Sequence, residues 1–361
     1  MNYYDLGTYS RPVTTSSDAA QKWFDRGLIW TYAYHHEEAI ACFNNALKED
    51  ETCAMAHWGI AYAIGPNYNK PWEAFEDDEK PDALKQAQDA IAAAAALKDK
   101  VSTWERALIE ALPHRYPKDA SVDAYAPWND AYANAMREVH KAHADDLDVC
   151  CLFAEAIMNR TPWQLWDLPS GQPAEGADTL EAISVLEDAF DKLDGAWSHP
   201  GLLHRYIQLM EMSPHPEKAL RHGDALSTLV PDAGHLLHMA THIDVLCGDY
   251  QNVVSRNHTA ILADRKYLAR AGAENFYSVY RCHNYHFKIY GAMFLGQPTP
   301  ALETADELIA TLPKETLAPM ADWFEGFIPM KQHVLVRFGR WHDILAQTLP
   351  DDPEPVSYTH L

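Results

Sequence analysis

Basic side chains are scarce in this chain of 361 residues: 29 Lys and Arg stand against 52 Asp and Glu, giving a formal net charge of −23. Nucleic acids and anionic membranes both attract surfaces that are rich in Lys and Arg. The charge balance therefore argues against nucleic acid and membranes as partners. Small molecules, peptides and metal ions remain to be considered.

Several sequence signatures are also absent. The chain contains no CxxC, HExxH or GxSxG motif, and nothing resembles a glycine-rich phosphate loop. The alanine-rich stretch at residues 91–97 is too short to span a bilayer, and residues 1–12 lack the basic and apolar segments of a secretory signal. We therefore predict a cytoplasmic protein whose cysteines are reduced and mostly buried.

An internal repeat is the clearest feature that the sequence does contain. Between residues 20 and 53, side chains follow the spacing of the tetratricopeptide repeat (TPR), a pair of antiparallel helices: Trp23, Gly27, Trp30, Ala39, Phe43 and Ala46. Looser copies follow, and Gly248, Gly296 and Gly339 stand at turns where a helix end favours positive φ. The pattern predicts an all-α, TPR-like α-solenoid of about six to seven stacked helix pairs.

The chain divides into segments of different composition. We predict an N-terminal extension at residues 1–14, helical repeats at 15–160, a loop rich in Pro, Gly and Trp at 161–178, further repeats with a His-rich groove at 179–350, and a tail at 351–361. The tail resembles a translated cloning remnant and is expected to be artefactual. The loop is either a lid or seam between the two halves or a plain insertion on the outer face.

Histidine is frequent, with 19 residues in the chain. In stacked helix pairs the first helix of each pair lines the concave surface, and the paired histidines fall on those helices. His235, His238 and His242 are spaced i, i+3 and i+7, so they lie within an arc of about 60° on one helix face. The neighbouring first helices carry similar stripes: His204, Gln208 and Glu211 before it, and Tyr280, His283, His286 and Tyr290 after it.

Several neutral imidazoles with one carboxylate suit zinc, copper or iron, whereas calcium and magnesium prefer oxygen ligands. We therefore predict one transition metal ion with ligands drawn from His199, His204, His235, His238, His242, His283 and His286. Glu211 is predicted to be a further ligand or a catalytic general base. The side chains expected to line the rest of the groove are Tyr206, Gln208, Tyr280, Tyr290, His57, Asn67 and Asn69.

Two other interpretations of the histidines stay open. They form either a polar site for a small acid or peptide without metal, or a set of structural hydrogen bonds. Turn chemistry alone is enough to explain Asn67 and Asn69. His35 and His36 lie at an inter-helix turn and are expected to be solvated.

The segment at residues 232–243, DAGHLLHMATHI, resembles a bacterial and fungal family of TPR proteins marked by GHLxHMxxHI. Further blocks similar to that family lie at residues 54–63, 65–69, 199–207 and 283–287, so the resemblance extends from about residue 15 onward. Ala240 and Thr241 stand where the family commonly has Pro and Ser, and Asp244 stands where an aromatic is usual. The resemblance implies a TPR fold and the place of the site, and it implies no reaction.

Two functional hypotheses follow from these patterns. The first is a TPR protein whose concave groove holds a His-rich metal site and which acts as a metal-dependent enzyme of unknown reaction. The second is a non-catalytic scaffold whose groove binds a peptide or a partner helix. Whether the chain is an enzyme, and its oligomeric state, do not follow from the sequence.

Overall fold

The computed structural model describes residues 3–116, 124–312 and 321–347. Its α-helices are α1 Asp18–Tyr32, α2 His36–Glu49, α3 Ala54–Ile64, α4 Glu79–Leu97, α5 Thr103–Ala111, α6 Ala126–Ala142, α7 Leu147–Met158, α8 Thr179–Lys192, α9 Pro200–Met210, α10 Leu220–Leu226, α11 Gly234–Cys247, α12 Tyr250–Ala271, α13 Tyr277–Phe294, α14 Pro298–Ala310, α15 Ala321–Phe324, α16 Met330–Arg337 and α17 Trp341–Leu345. Short 3₁₀ turns lie at Trp72–Ala74, Lys98–Lys100, Leu112–Arg115, Ala196–Ser198, Pro216–Ala219 and Glu325–Phe327.

The protein is all-α and TPR-like, as the repeat pattern predicts. Helices that follow one another in the chain pack together, for example α1 with α2, α2 with α3, α11 with α12 and α12 with α13. In the described residues the extended structure is one antiparallel pair of two-residue strands, β1 Trp166–Asp167 and β2 Gln172–Pro173, inside the predicted loop at 161–178. The predicted tail at 351–361 lies outside the described residues.

The first repeat shows why the pattern needs glycine. Phe43 on α2 is fully buried, and its ring lies against Gly27 on α1 and Gly59 on α3. A Cβ at either glycine would come within 2.6 Å of the ring carbons of Phe43. Such a contact is too short for any side chain, so only glycine lets the three helices pack at this distance.

Several helix boundaries follow the predicted signals. Gly248, Gly296 and Gly339 have φ values of 81°, 68° and 63°, which confirms that each follows a helix end in the left-handed region.

The chain forms two compact units. One, the N-terminal unit, is Leu6–Leu229; the other, the C-terminal unit, is Val230–Leu361 together with Met1–Asp5. The loop at 161–178 belongs to the N-terminal unit. In the C-terminal unit, apolar side chains of α12, α13, α14 and α16 form a continuous core that includes Ile261, Tyr285, Ile289 and Leu308.

Two further predictions concern the burial of the cysteines and the presence of membrane-spanning helices. Five of the six cysteines are buried, as predicted, and Cys247 is exposed. Across the described residues, the length and hydropathy of every helix fall short of what a membrane span requires.

Candidate metal centre

Helix α11 presents two histidines one turn apart. His238 and His242 are spaced i, i+4, which places both side chains on the same face of the helix. Their Nε2 atoms lie 2.9 Å apart. Helix α13 packs beside α11 and contributes His283, whose Nε2 lies 3.4 Å from Nε2 of His242. We call these three residues the histidine triad.

A neighbour on α12 sets the protonation of His238. The side-chain amide of Asn257 donates to the carbonyl of Val253 at 2.8 Å and to the hydroxyl of Thr241 at 3.1 Å. Since a backbone carbonyl only accepts hydrogen bonds, the amide nitrogen must face Val253, and Oδ1 then faces Nδ1 of His238 at 2.7 Å. Nδ1 of His238 therefore carries the proton and Nε2 carries the lone pair that a metal needs.

Two histidines of the triad, His238 and His283, are held in the neutral state by their surroundings. His238 is fully buried, while His242 and His283 are half-buried. Burial lowers the pKa of His238 well below its ordinary value, and the imidazoles of His283 and His242 act in the same direction. Burial and the nearby His242 likewise lower the pKa of His283. Metals bind the neutral imidazole, so the site is prepared for a cation rather than for protons.

An aromatic ring packs against all three imidazoles. The ring centroid of Phe287 lies 4.8 Å from that of His238 and 4.7 Å from those of His242 and His283. This contact restricts the rotation of the three side chains. It also gives the triad one apolar wall, which excludes water from that side.

The donor set fits a first-row transition ion. Each triad residue offers one ring nitrogen, and the three atoms all lie within 4.8 Å of one another. Ligand nitrogens of a tetrahedral zinc ion lie about 3.3 Å apart, given Zn–N distances near 2.0 Å. Three imidazoles leave one position of a tetrahedral ion for an exogenous ligand, and they match zinc or copper better than the two-His, one-carboxylate set of iron oxygenases.

The other two predicted ligands of the C-terminal unit flank the triad. The His235 ring centroid lies 6.0 Å from that of His238 and 4.7 Å from that of Tyr280, and His235 is buried. His286 is half-buried, with its ring centroid 6.3 Å from that of His283 and 6.4 Å from that of the exposed Tyr290. The structure therefore brings three of these five histidines together and places two beside them.

The predicted ligands His199 and His204 lie in the N-terminal unit and are fully buried. Nδ1 of His199 accepts from the backbone N–H of Leu202 at 3.1 Å and so caps α9, while Nε2 lies 3.2 Å from a carboxylate oxygen of Asp148. Nδ1 of His204 lies 2.7 Å from the carbonyl of Tyr32, to which it donates. These contacts agree with the structural interpretation that the sequence left open.

Two of the predicted groove residues from α9 pair with side chains of other elements in the N-terminal unit. Gln208 receives a hydrogen bond from Tyr34 at 2.9 Å and donates to Asn69 at 3.4 Å, so two predicted groove residues do meet. The hydroxyl of Tyr206 donates to Glu187 at 2.9 Å.

The remaining predicted residues of this unit have separate surroundings. Asn67 accepts from the backbone N–H groups of Asn69 and Lys70 at 2.9 Å, which is the turn chemistry considered above. Nε2 of His57 lies 3.2 Å from the carbonyl of Glu51. Glu211, the predicted general base, is buried at the C-terminal end of α9.

Asn257 and Phe287 are the site residues that sequence reasoning missed. Asn257 lies on the second helix of its pair, whereas the spacing argument considered only the first helices. Phe287 cannot bind a metal, so its position beside histidines does not predict a role in the site. The expectation for His35 was wrong: its side chain is 1% exposed and packs against Trp30 at a ring distance of 5.0 Å. His36 is half-buried.

Two solved structures are similar to this chain at low TM-scores. One is the crystal structure of the APC/C hetero-tetramer Cut9–Hcn1, with 13% identity, a TM-score of 0.31, and coverage of 92% of this chain and 67% of that one. The other is the P58(IPK) TPR domain, with 14% identity, a TM-score of 0.21, and coverage of 90% and 98%. Both scores are below 0.5, so neither likeness supports an argument about the site. No protein-family model and no curated protein matches the chain.

Proposed function

We propose that this TPR-like protein binds one zinc or copper ion through His238, His242 and His283 and acts as a metal-dependent enzyme. The observation that carries the proposal is the convergence of three ring nitrogens, one of them with its lone pair fixed by Asn257. A bound ion of this kind supplies Lewis-acid chemistry at its open position. His238, His242 and His283 would hold the ion, and the ring of Phe287 would close one side of the three imidazoles.

Two parts of the hypothesis stay predictions. One is that the helices form a concave groove around the site, and the other is that Glu211 acts as a general base. The scaffold hypothesis is the alternative: a peptide or partner helix would bind to the helical repeats without any metal. Metal content and partner binding distinguish the two, since a scaffold needs no stoichiometric ion.

The direct test is elemental analysis of the full chain, purified without chelator and dialysed against metal-free buffer. We expect about one equivalent of zinc or copper per chain in the wild type. The variants His238→Ala, His242→Ala and His283→Ala should each lose most of it because three-coordinate binding becomes two-coordinate. Far-UV circular dichroism would confirm that each variant keeps its helices.

Matched controls lie on the same two helices. His235→Ala on α11 and His286→Ala on α13 each remove one imidazole near the triad without removing a ligand. We expect both to keep the wild-type metal content. A wild-type protein without stoichiometric metal, or controls that lose metal as readily as the triad variants, would overturn the proposal.

A further inference from the structure

A second cluster of charged groups is buried in the N-terminal unit, around Glu155 on α7. One carboxylate oxygen of Glu155 accepts from the Arg205 guanidinium and from the Tyr62 hydroxyl, both at 2.9 Å. Arg205 and Glu155 are 0% and 1% exposed. The ring of Tyr34 lies 4.2 Å from the Arg205 guanidinium carbon, and Tyr34 is a non-glycine residue with a φ of 56°. Backbone strain of this kind persists where the surrounding structure fixes it, often at binding sites.

A second guanidinium completes the cluster. Arg115 is buried, with its guanidinium carbon 4.4 Å from the ring centroid of Tyr62 and 5.1 Å from that of Tyr132. Its guanidinium also donates to the carbonyl of Pro66. Within the ranges that the structure describes, Arg115 has no ion pair, and the carboxylate that acts on it electrostatically is that of Glu155, which already pairs with Arg205.

The formal charges in this cluster do not balance. Arg115 and Arg205 contribute two positive charges, and Glu155 contributes one negative charge. The nearby histidines are neutral at pH 7, because burial lowers the pKa of His35 to about 3 and that of His36 to about 4. Burial raises the pKa of Tyr62 well above its ordinary value, so its hydroxyl stays protonated. One buried positive charge is therefore left over, and such a charge is costly without a counter-ion.

The polar atoms without hydrogen-bond partners indicate which donor and acceptor groups a bound counter-ion would need. Among the described residues, Nε of Arg205 has no acceptor, and Oε1 of Glu155 and Nε2 of His36 have no hydrogen-bond partner. The first is a donor and the second an acceptor, and Nε2 of His36 accepts in the tautomer that carries its proton on Nδ1. His36 is half-buried, which makes it the most exposed residue of the cluster.

We propose that this cluster binds a small hydroxycarboxylate with one negative charge. Its carboxylate would neutralise the excess guanidinium charge, with the planar geometry that arginine matches well. Its hydroxyl would donate to the acceptor atoms of Glu155 or His36. A dianion such as inorganic phosphate would leave the cluster negative overall.

The test is calorimetric titration of the full chain with sodium lactate, sodium propionate and sodium chloride at constant ionic strength. Propionate has the same carboxylate without the hydroxyl. We expect lactate to bind at least tenfold more tightly than propionate, because a site with buried acceptors rejects the analogue that lacks the donor. Chloride should bind more weakly than both. Equal affinity for lactate and propionate, or for lactate and chloride, would overturn the proposal.

Variants separate this cluster from the histidine triad. Arg115→Gln removes the excess charge and should abolish lactate binding, while Arg115→Lys should retain much of it, and Arg106→Gln on the exposed face of α5 should change nothing. If the glutamine variant does not fold, the lysine variant and the propionate comparison still decide the question. The His238→Ala chain should bind lactate as the wild type does. Loss of binding in that chain would assign the lactate to a triad metal and contradict the proposal.

Discussion

A single amide governs the chemistry of the triad at the scale of the residue. Asn257 uses both of its N–H groups on Val253 and Thr241, so its oxygen is left to face His238. The hydroxyl of Thr241 donates to the carbonyl of His238 at 2.7 Å and therefore accepts from Asn257. The directions of these bonds are consistent with one another, and they leave the proton of His238 on Nδ1 and the lone pair on Nε2.

Replacing Asn257 should weaken metal binding without touching a ligand. Asn257→Leu removes the acceptor for Nδ1 of His238, so the imidazole loses its fixed tautomer and orientation. We expect the affinity for zinc to fall roughly 10- to 100-fold, as other changes to such partners do. Competition with a chromophoric chelator would measure the dissociation constant.

Two further variants control for this change. Asn257→Asp keeps an acceptor opposite Nδ1 and should restore most of the affinity. Ser255→Ala removes a polar group from the exposed face of the same helix and should leave the affinity unchanged. A leucine variant that binds zinc as the wild type does would show that Asn257 has no part in the site.

At the scale of the element, the N-terminus of α11 is fixed by a buried acid. The Tyr277 hydroxyl donates to Asp264 at 3.0 Å and accepts from the backbone N–H of His235 at 3.2 Å. Asn284 donates to the other carboxylate oxygen at 2.7 Å. Gly234 leaves room for this carboxylate, since a Cβ there would overlap Oδ1 of Asp264. The helix that carries His238 and His242 is thus positioned by its first turn.

This acid should make stability depend on pH. Burial raises the pKa of Asp264 from 3.8 to about 6, although Asn284 and Tyr277 act in the opposite direction. The folded pKa exceeds the unfolded one, so the contribution of Asp264 is complete below pH 3.8 and is lost as the pH rises through about 6. The loss amounts to about 3 kcal/mol, at 1.36 kcal/mol for each pH unit.

The measurement compares the wild type with Asp264→Asn by denaturant unfolding of metal-free protein at pH 4.5 and pH 7.5. The asparagine is neutral at both pH values, and the other titrating groups cancel in the difference between the two proteins. The wild type should lose free energy of unfolding relative to the variant as the pH rises. A difference that is the same at both pH values would contradict the raised pKa.

Helical spacing in the sequence predicts some residues of the histidine site and not others. The i, i+4 spacing of His238 and His242 predicts their shared face, and the stripe on α13 includes His283, which the structure places beside them. Spacing alone does not exclude His235, because the rotamer that turns its ring toward Tyr280 depends on packing between helices. Asn257 is equally hidden, since its contact with His238 joins two helices through tertiary structure.

In the N-terminal unit, helical spacing groups residues whose contacts are separate. On α9, Gln208 contacts Asn69, another predicted groove residue, yet His204 on the same stripe donates to a backbone carbonyl of another helix. The spacing of polar residues on α9 does not identify Arg205, because Arg205 lies outside the stripe. Its partner Glu155 is 50 residues away in the chain. Buried charge pairs of this kind leave no periodic signal.

For the whole molecule, the position of the triad predicts where a metal acts. All three histidines of the triad belong to the C-terminal unit. At a free metal concentration 100 times the dissociation constant, binding stabilises the structure that holds the ion by about 2.7 kcal/mol. Hydrogen exchange of the full chain should therefore slow by up to about 100-fold in α11 and α13, and remain unchanged in α1, α2 and α3.

The His283→Ala chain is the control for this experiment. It should show no metal-dependent protection in either unit. Protection that appears in the N-terminal unit of both the wild type and this variant would place the ion elsewhere.

The separation of His242 and His283, 41 positions along the chain, has one more consequence. Helices α11 and α12 form one repeat, and α13 begins the next. The stability of a repeat array is approximately the sum of each repeat's own stability and the coupling between neighbours. An ion bound by the triad would add to a single coupling, the one between these two repeats. Metal supply would then set whether they unfold together or one at a time.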